Sequence, residues 1–366
     1  MLQLLFVGAA FAVAPGVAEP DSAEPDPTPS AEARPRRFAI LPLPTFDYTP
    51  ETGFSGGAVV LVTGRPFVDA RPASFGIEGA LTTEGQRILE TDLLLFTPSD
   101  RVVIDINVDV LRFPEDFWGV GPDTPASDRE RLETDRIEVE ADVLAQVWSS
   151  LYLGPIGRLQ SVYNLTPAPG GILDAGDVVG AGGGLSAGLG AAAVWERRAR
   201  PLTPAAGEQY VALRSLMFRP GLGSDFTFSR FEADARAYLQ IGAQMMLALQ
   251  GYAQLHTGAP PFRMLSLLGG EELMRGYYRG RYRDQHLVAT QAELRAPLFW
   301  RLGAVAFVGV GDVAPRLADL SFASIKPTVG GGLRVRVDDT EQTNLRIDLA
   351  GGRDAFGVYF SFGEAF

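Results

Sequence analysis

A loop-like stretch rich in arginine, glycine and tyrosine is followed by a strand-like segment that carries charge. The loop contains Arg275, Gly276 and Tyr277, and the strand contains Glu293 and Arg295. A guanidinium in a cavity of intermediate dielectric needs a carboxylate, so a bidentate pair between Arg275 and Glu293 would fix the loop. Gly276 permits a tight turn, and Tyr277 can pack its ring while its hydroxyl reaches a polar partner. These residues predict a loop that folds back into a polar cavity and is locked there.

The next strand-like segment adds Gly309, Gly311 and Asp312 to the predicted loop lock. Asp312 could supply a further carboxylate to the loop arginine only if this strand bulges, because its odd-numbered offset from Gly309 reverses its face. Two alternatives stay open. The stretch 275–284 could be a solvated, arginine-rich extracellular loop, and a lock of this kind could have a purely structural role.

Residue types that support catalysis or metal binding are scarce. Cysteine is absent, and two histidines, His256 and His286, leave little for a transition metal, although a calcium site among the acidic loops stays open. Ser266 is the serine of the long loop, and its context lacks the strained turn that presents a nucleophile. We therefore expect no enzyme, no catalytic residue, no metal site and no cofactor. A hydrolase that uses Ser266 and His256 is the least favoured alternative.

Composition and chain organisation limit the function further. The formal net charge of −12 argues against nucleic acid as a partner, because phosphate binding needs clustered basic residues. Residues 1–18 contain a short apolar run that ends in small residues, which is typical of a signal peptide and predicts export. Residues 19–36 are rich in proline and acidic residues and predict a disordered linker. Residues 37–366 form the predicted folded domain.

From residue 37 onward, aliphatic and polar residues alternate with period two, the spacing of a half-buried strand. About sixteen such segments have lengths near the ~9–11 residues that cross a bilayer when tilted. We predict an all-β fold: a single antiparallel transmembrane β-barrel of about 16 strands, with the loop at about 257–285 folded inward. The charged sides of the strands should face the lumen and the aliphatic sides the lipid. A soluble sandwich or propeller also alternates, but the sequence shows no blade period of ~40–50 residues.

The first and last strands should form the seam that closes this barrel. The first strand contains Pro42 and Pro44, which cannot donate ladder hydrogen bonds and would weaken the seam. The last strand, near 356–366, presents Phe360 and Phe362 on one face and ends at Phe366. We assign these five residues to a lateral seam. The alternative is that the prolines belong to a lead-in segment below the membrane.

Four places in the sequence carry a resemblance to a known family. They are the Arg-Gly-aromatic loop at 274–284, the Glu-x-Arg strand at 293–295, the segment 307–312 and the turn at 195–207. Together they resemble the barrel of the BamA/TamA family of outer-membrane proteins, also called the bacterial surface antigen family. Gly309 stands where the family often has an aspartate that receives the loop arginine, and the sequence shows no POTRA modules.

The resemblance implies a location in the outer membrane of a Gram-negative bacterium, in contact with its lipid. It also implies a function in the insertion or translocation of proteins through the lateral seam. The expected partners are client outer-membrane proteins and a separate periplasmic partner that supplies what POTRA modules would provide. The alternative is a passive porin or a structural surface antigen that shares the fold.

Overall fold

The structure of the protein is a computed structural model that describes residues 38–67, 69–337 and 343–366. The predicted signal peptide, 1–18, and the predicted linker, 19–36, lie outside the described residues. No helix in the described part of the chain is both long enough and apolar enough to span a membrane.

Sixteen antiparallel strands close into one barrel, which confirms the predicted fold class. The barrel strands are β1 (Phe38–Thr49), β2 (Gly53–Gly64), β3 (Ala73–Thr82), β4 (Arg87–Phe96), β5 (Val102–Arg112), β7 (Glu130–Trp148), β8 (Leu151–Thr166), β9 (Gly184–Glu196), β10 (Gln209–Phe218), β11 (Phe228–Ile241), β12 (Met245–Gly258), β15 (His286–Phe299), β16 (Leu302–Ala314), β17 (Lys326–Arg336), β18 (Asn344–Gly352) and β19 (Ala355–Phe362). Each pairs with the next along the chain, and β1 also pairs with β19. Short strands β6 (Glu115–Phe117), β13 (Ser266–Leu268) and β14 (Tyr282–Asp284) lie in loops.

The period-two alternation sorts side chains between the two faces of the barrel wall. In β18, Ile347 and Leu349 point outward and are 38% and 51% exposed, whereas Arg346 and Asp348 point inward and are fully buried. Successive side chains of a strand face opposite sides, so one sequence pattern produces an aliphatic exterior and a charged interior. The exterior therefore has the apolar character of a surface that contacts lipid.

The long loop at 259–285, between β12 and β15, folds into the barrel as predicted. Its strands β13 and β14 pair with each other and not with the barrel sheet. Met274, Arg275 and Tyr277 near its tip are completely buried. A loop that projected into solvent would leave these side chains exposed, so the burial places the tip against the inner wall.

The end of the chain differs from the predicted last strand near 356–366, because β19 ends at Phe362. Gly363 adopts a left-handed φ of 75°, and the following residues leave the sheet. Phe366 is only 2% exposed and packs with Tyr238 inside the barrel. The Phe366 backbone oxygen accepts a hydrogen bond from Arg295 Nη2 at 2.8 Å, which holds this segment inward.

The outward position of Leu349 near the middle of β18 gives a test of the lipid-facing exterior. Leu349→Arg should decrease the free energy of unfolding from lipid vesicles by about 2–4 kcal/mol, because a guanidinium would enter hydrocarbon. Urea unfolding of the vesicle-bound protein measures this change. Phe322→Arg, in the loop after β16 where Phe322 is 93% exposed, is the matched control and should have little effect. Equal effects of the two substitutions would contradict a lipid-facing β18.

Candidate functional site

The Arg275 guanidinium lies at the centre of a buried cluster of charged side chains. Its Nη2 donates to Glu293 Oε2 at 2.5 Å, and its Nη1 donates to Asp348 Oδ2 at 2.5 Å. All three side chains are fully buried, and the guanidinium also lies 3.5 Å from the centroid of the Phe307 ring. Arg275 thus divides its donors between two carboxylates, which differs from the predicted bidentate pair with Glu293 alone.

Neighbouring arginines occupy the remaining oxygens of both carboxylates. Arg295 Nε donates to Glu293 Oε1 at 2.7 Å, and Arg334 Nη1 donates to Asp348 Oδ1 at 2.6 Å. Buried carboxylates need hydrogen-bond partners as well as an opposite charge, and these contacts supply both. The loop arginine is therefore one member of a shared network, which spans β15, β17 and β18.

Two further pairs extend the network to the loop and to the end of the chain. Arg334 Nε donates to Glu364 Oε2 at 2.7 Å, and Arg346 Nη2 donates to Glu271 Oε2 at 2.8 Å. Four arginines meet four carboxylates, so the group carries no net charge. We call it the Arg275 cluster; its members are Arg275, Arg295, Arg334, Arg346, Glu271, Glu293, Asp348 and Glu364.

Gly276 allows the loop backbone to approach the wall closely. It has a φ of 107°, and a Cβ at this position would lie 2.9 Å from the backbone carbon of Gly351 in β18. The Gly276 N–H donates to the Tyr359 hydroxyl of β19 at 2.8 Å. Any side chain at 276 would meet both a left-handed backbone and a steric clash, so this position requires glycine.

Tyr277 connects the loop to β17 and to the turn between β18 and β19. Its hydroxyl donates to the Pro327 carbonyl at 2.9 Å and accepts from the Arg353 N–H at 2.7 Å. Its ring lies against Gly352, where a Cβ would collide with the ring atoms. The buried ring with a satisfied hydroxyl matches the packing predicted for this residue.

Gly309 and Gly311 provide space on β16 for the loop. A Cβ at Gly309 would lie 3.1 Å from Met274 Sδ and 2.9 Å from Thr328 Cγ2. A Cβ at Gly311 would lie 3.3 Å from Leu268 Cδ1. An aspartate at 309 would therefore displace the methionine that precedes the loop arginine.

Asp312 does not receive the loop arginine. It accepts from Lys326 Nζ at 2.7 Å and from Ser324 Oγ at 2.5 Å. The register between β15 and β16 is regular at the Val288–Asp312 pair, so the bulge needed to turn Asp312 toward Arg275 is absent there. Asp348, on a strand remote in sequence, is the second acceptor in its place.

The residues assigned to the seam fall into two groups. Pro42 and Pro44 lie on the outward face of β1, and Phe46 on the same face contacts the last strand. The Phe46 ring lies 5.5 Å from the Phe360 ring and 5.7 Å from the Phe362 ring, measured between centroids. Phe366, in contrast, lies inside the barrel beyond the end of β19, because its backbone oxygen binds Arg295.

The loop also contacts the first hairpin of the barrel. The Arg279 N–H donates to Oε1 of Glu51, in the turn between β1 and β2, at 2.5 Å. Burial of the Glu51 carboxyl raises its pKa from 4.5 to about 7. With Tyr359 on β19 and Glu51 beside β1, the loop holds structure on both sides of the seam.

The serine and histidine considered for hydrolysis lie close together but are oriented toward backbone groups. Ser266 Oγ lies 3.4 Å from His256 Nδ1 and donates to the Gln254 carbonyl at 3.0 Å. His256 Nδ1 lies 2.7 Å from the Gln285 carbonyl, so this nitrogen carries the proton and cannot accept one from serine. Both side chains are buried. The pair anchors the base of the loop to β12.

Sequence reasoning missed seven residues of this site: Glu51, Glu271, Arg334, Arg346, Asp348, Tyr359 and Glu364. Asp348 lay on the charged face of an alternating segment, which was the available signal for an inward carboxylate. Its contact with Arg275 depends on barrel curvature and register, which the sequence pattern does not contain. No comparable signal marked Glu364, Tyr359 or Glu51.

Removal of the central arginine tests the Arg275 cluster. Arg275→Ala leaves Glu293 and Asp348 buried with less positive charge, so it should destabilise the barrel by about 3–5 kcal/mol. The same variant should make the loop at 259–285 sensitive to protease in the folded protein. Arg316→Ala breaks an exposed pair with Asp319 and should cost at most about 1 kcal/mol. A loss for Arg275→Ala no larger than this control would refute a stabilising cluster.

The Glu51 contact should make stability depend on pH. A carboxyl with a raised pKa binds its proton more tightly in the folded state, so its contribution is present at pH below about 4.5 and is lost as pH rises to about 7. The midpoint temperature of thermal unfolding should decrease as the pH is raised from about 5 to about 8. The variant Glu51→Gln, which keeps an acceptor for the Arg279 N–H, should show a smaller decrease. An unchanged slope in the variant would show that Glu51 does not titrate in this range.

Comparisons with known proteins place these features in a family. A profile described as the Omp85 superfamily domain matches residues 166–366, more than half of the chain. No curated protein matches the sequence. The matched residues, 166–366, contain the loop at 259–285 and the strands that hold it.

Solved structures with the same fold include three outer-membrane barrels. BamA from Haemophilus ducreyi lacking POTRA domains 1–3 has a TM-score of 0.59 at 12% identity, over 90% of this chain and 70% of that chain. CdiB from Acinetobacter baumannii has a TM-score of 0.58 at 10% identity, over 89% and 65%. CdiB from Escherichia coli has a TM-score of 0.57 at 12% identity, over 90% and 68%. The chain thus spans about two thirds of the length of these chains.

The resemblance to the BamA/TamA family is confirmed by the matching profile together with these barrels. The low identities mean that the solved structures support the fold, and the profile supports the family. The chain belongs to the Omp85 superfamily of outer-membrane β-barrels.

Proposed function

We propose that the protein resides in the outer membrane of a Gram-negative bacterium and assists the insertion or translocation of proteins through an opening between β1 and β19. The observation that carries this proposal is the pairing at the seam. Between β1 and β19, one residue pair lies in register, Tyr48 with Phe360. In contrast, β1 pairs with β2 along its whole length, from Phe38 to Thr49.

The prolines account for part of this weakness. Pairing between β1 and β2 is continuous through Pro42 and Pro44. In an antiparallel sheet, alternate residues of a strand direct their N–H groups to the neighbour on one side and then to the neighbour on the other. Because the pairing with β2 is continuous, Pro42 and Pro44 occupy positions whose N–H groups would point toward β19, and proline has no N–H to donate. The seam edge of β1 therefore lacks two donors, and a closed ladder with β19 would be weak there.

The contacts of the loop determine which end of the seam opens first. Its contacts with Tyr359 and Glu51 lie near the end of β1 that carries Tyr48, where the two strands remain paired. Pro42 and Pro44 lie toward the opposite end. We infer that separation begins at the proline end and must reach the Tyr48–Phe360 pair before the seam is open, while the Arg275 cluster keeps β15 to β19 together as one unit.

Separated edges would expose unpaired backbone donors and acceptors. Such edges bind an extended segment of another chain by strand addition, and an incoming client barrel offers strands of this kind. The proposed clients are outer-membrane proteins, delivered by a separate periplasmic partner. A passive porin is the alternative, and a steady, wide conductance in planar bilayers that does not depend on the loop would favour it.

Engineered cysteines test the seam directly, since the chain has no native cysteine. Tyr48→Cys with Phe360→Cys should form a disulfide across the seam and abolish assisted insertion of a client barrel into vesicles. Reductant should restore the activity, because the strands can then separate.

A second disulfide provides the matched control. Leu333→Cys with Ile347→Cys joins β17 to β18 at a registered outward-facing pair and should leave insertion unchanged. Full activity of the oxidised seam variant would refute opening at the seam. Loss of activity in both variants would show that rigidity of the barrel, and not the seam, is what matters.

A further inference from the structure

The charges on the inner wall of the barrel are segregated. The lumen faces of β1 to β5 carry no lysine or arginine, while β3, β4 and β5 carry five inward carboxylates. They are Glu78, Glu90, Asp92, Asp105 and Asp109. Among the described residues, none of the five forms an ion pair. We call this surface the acidic wall.

Strand register places several of these carboxylates side by side. Glu78 of β3 is opposite Glu90 of β4, which is opposite Asp109 of β5, which in turn is opposite Glu138 of β7. Adjacent strands lie about 4.8 Å apart, so the row presents one carboxylate at each such interval. Like charges directly opposite each other destabilise a sheet unless a counter-charge is present.

The next strand shows what such compensation looks like in this barrel. On β7, Glu138 pairs with Arg136 at 2.6 Å, and Asp142 pairs with Arg158 at 2.6 Å. The row therefore forms ion pairs where it reaches β7 and forms none on β3 to β5. The difference lies in the sequence, which supplies inward arginines from β7 onward.

Glu90 provides a second observation, independent of the clustering. Glu90 is buried, with 6% of its surface exposed, and its Oε1 is enclosed without a hydrogen-bond partner. A buried carboxylate oxygen without a donor is costly, and its position between Glu78 and Asp109 directs it into the acidic row. A cationic donor brought by a ligand would satisfy it.

The arrangement distinguishes between kinds of cation. Within the described residues, no group of three or more histidine, aspartate or glutamate side chains is placed to hold a metal ion. A metal needs oxygens that converge on one point, whereas these carboxylates follow a line across the strands. A ligand with several ammonium groups on a flexible alkyl chain distributes its charge along such a line.

We propose that the acidic wall is a binding site for a linear polyamine, which lies across β3, β4 and β5 and supplies the missing counter-charge. Each ammonium group donates to a carboxylate of the row, and the alkyl segments lie between the strands' inward side chains. The wall lies across the lumen from β15 and β16, so the site is separate from the Arg275 cluster. The proposal does not depend on opening of the seam.

Thermal unfolding of the full chain in detergent, at constant ionic strength and with spermine as the probe, tests the proposal. Spermine should raise the unfolding midpoint by on the order of a few degrees, because it binds the folded state. Mg²⁺ at equal ionic strength should have a smaller effect. The variant Glu90→Gln, Asp92→Asn, Asp109→Asn should lose the response to spermine and, without spermine, should unfold at a higher temperature than the wild type.

The control variant is Asp123→Asn, Asp128→Asn, Asp177→Asn, which removes the same charge from exposed loop positions and should keep the full response. Equilibrium dialysis of spermine against the wild type measures stoichiometry without any substitution, and about one saturable site per chain is expected. An equal response in the neutralised variant, an equal response to Mg²⁺, or the absence of saturable spermine binding would each overturn the proposal.

Discussion

Compensation of buried charge around Arg275 is the constraint on which the inner structure depends. A guanidinium removed from water is tolerated only beside carboxylates that neutralise its charge, and here the loop supplies the cation while the wall supplies Glu293 and Asp348. The loop therefore cannot leave the lumen without exposing unpaired charge on both sides. Because the partners come from β15 and β18, the same contacts also keep distant strands in register with the loop.

The junction between β1 and β19 is sparsely paired, in contrast to the Arg275 cluster. Along most of the wall, each strand is fixed by a continuous ladder, yet β1 and β19 share one registered pair and aromatic contacts of Phe46. The loop spans this sparsely paired junction from inside through contacts with Tyr359 and Glu51. A charge-paired cluster and a sparsely paired junction of β1 with β19 therefore lie within one barrel, and a single loop contacts both.

The sequence predicted the fold and the central part of the site because both follow from short-range patterns. Period-two alternation determines which side chains face lipid, so sixteen strands and their inward faces could be derived without a structure. The approach of Arg275 to Glu293 followed from chemistry and proximity in sequence. Asp348 could not be assigned, because its place beside Arg275 depends on curvature across several strands. The inward turn of Phe366 depends likewise on Arg295, and the acidic row appears only once the register between β3 and β5 is known.

Lys326 is the only lysine in the sequence, and it is buried between Asp312 and the Tyr282 ring. Every other cationic side chain is arginine or histidine. Reagents that acylate lysine side chains consequently find no accessible lysine while this part of the barrel is intact. The molecule thus contains a natural reporter of its own unfolding, since acylation of the Lys326 side chain would register the moment at which β16 and β17 come apart.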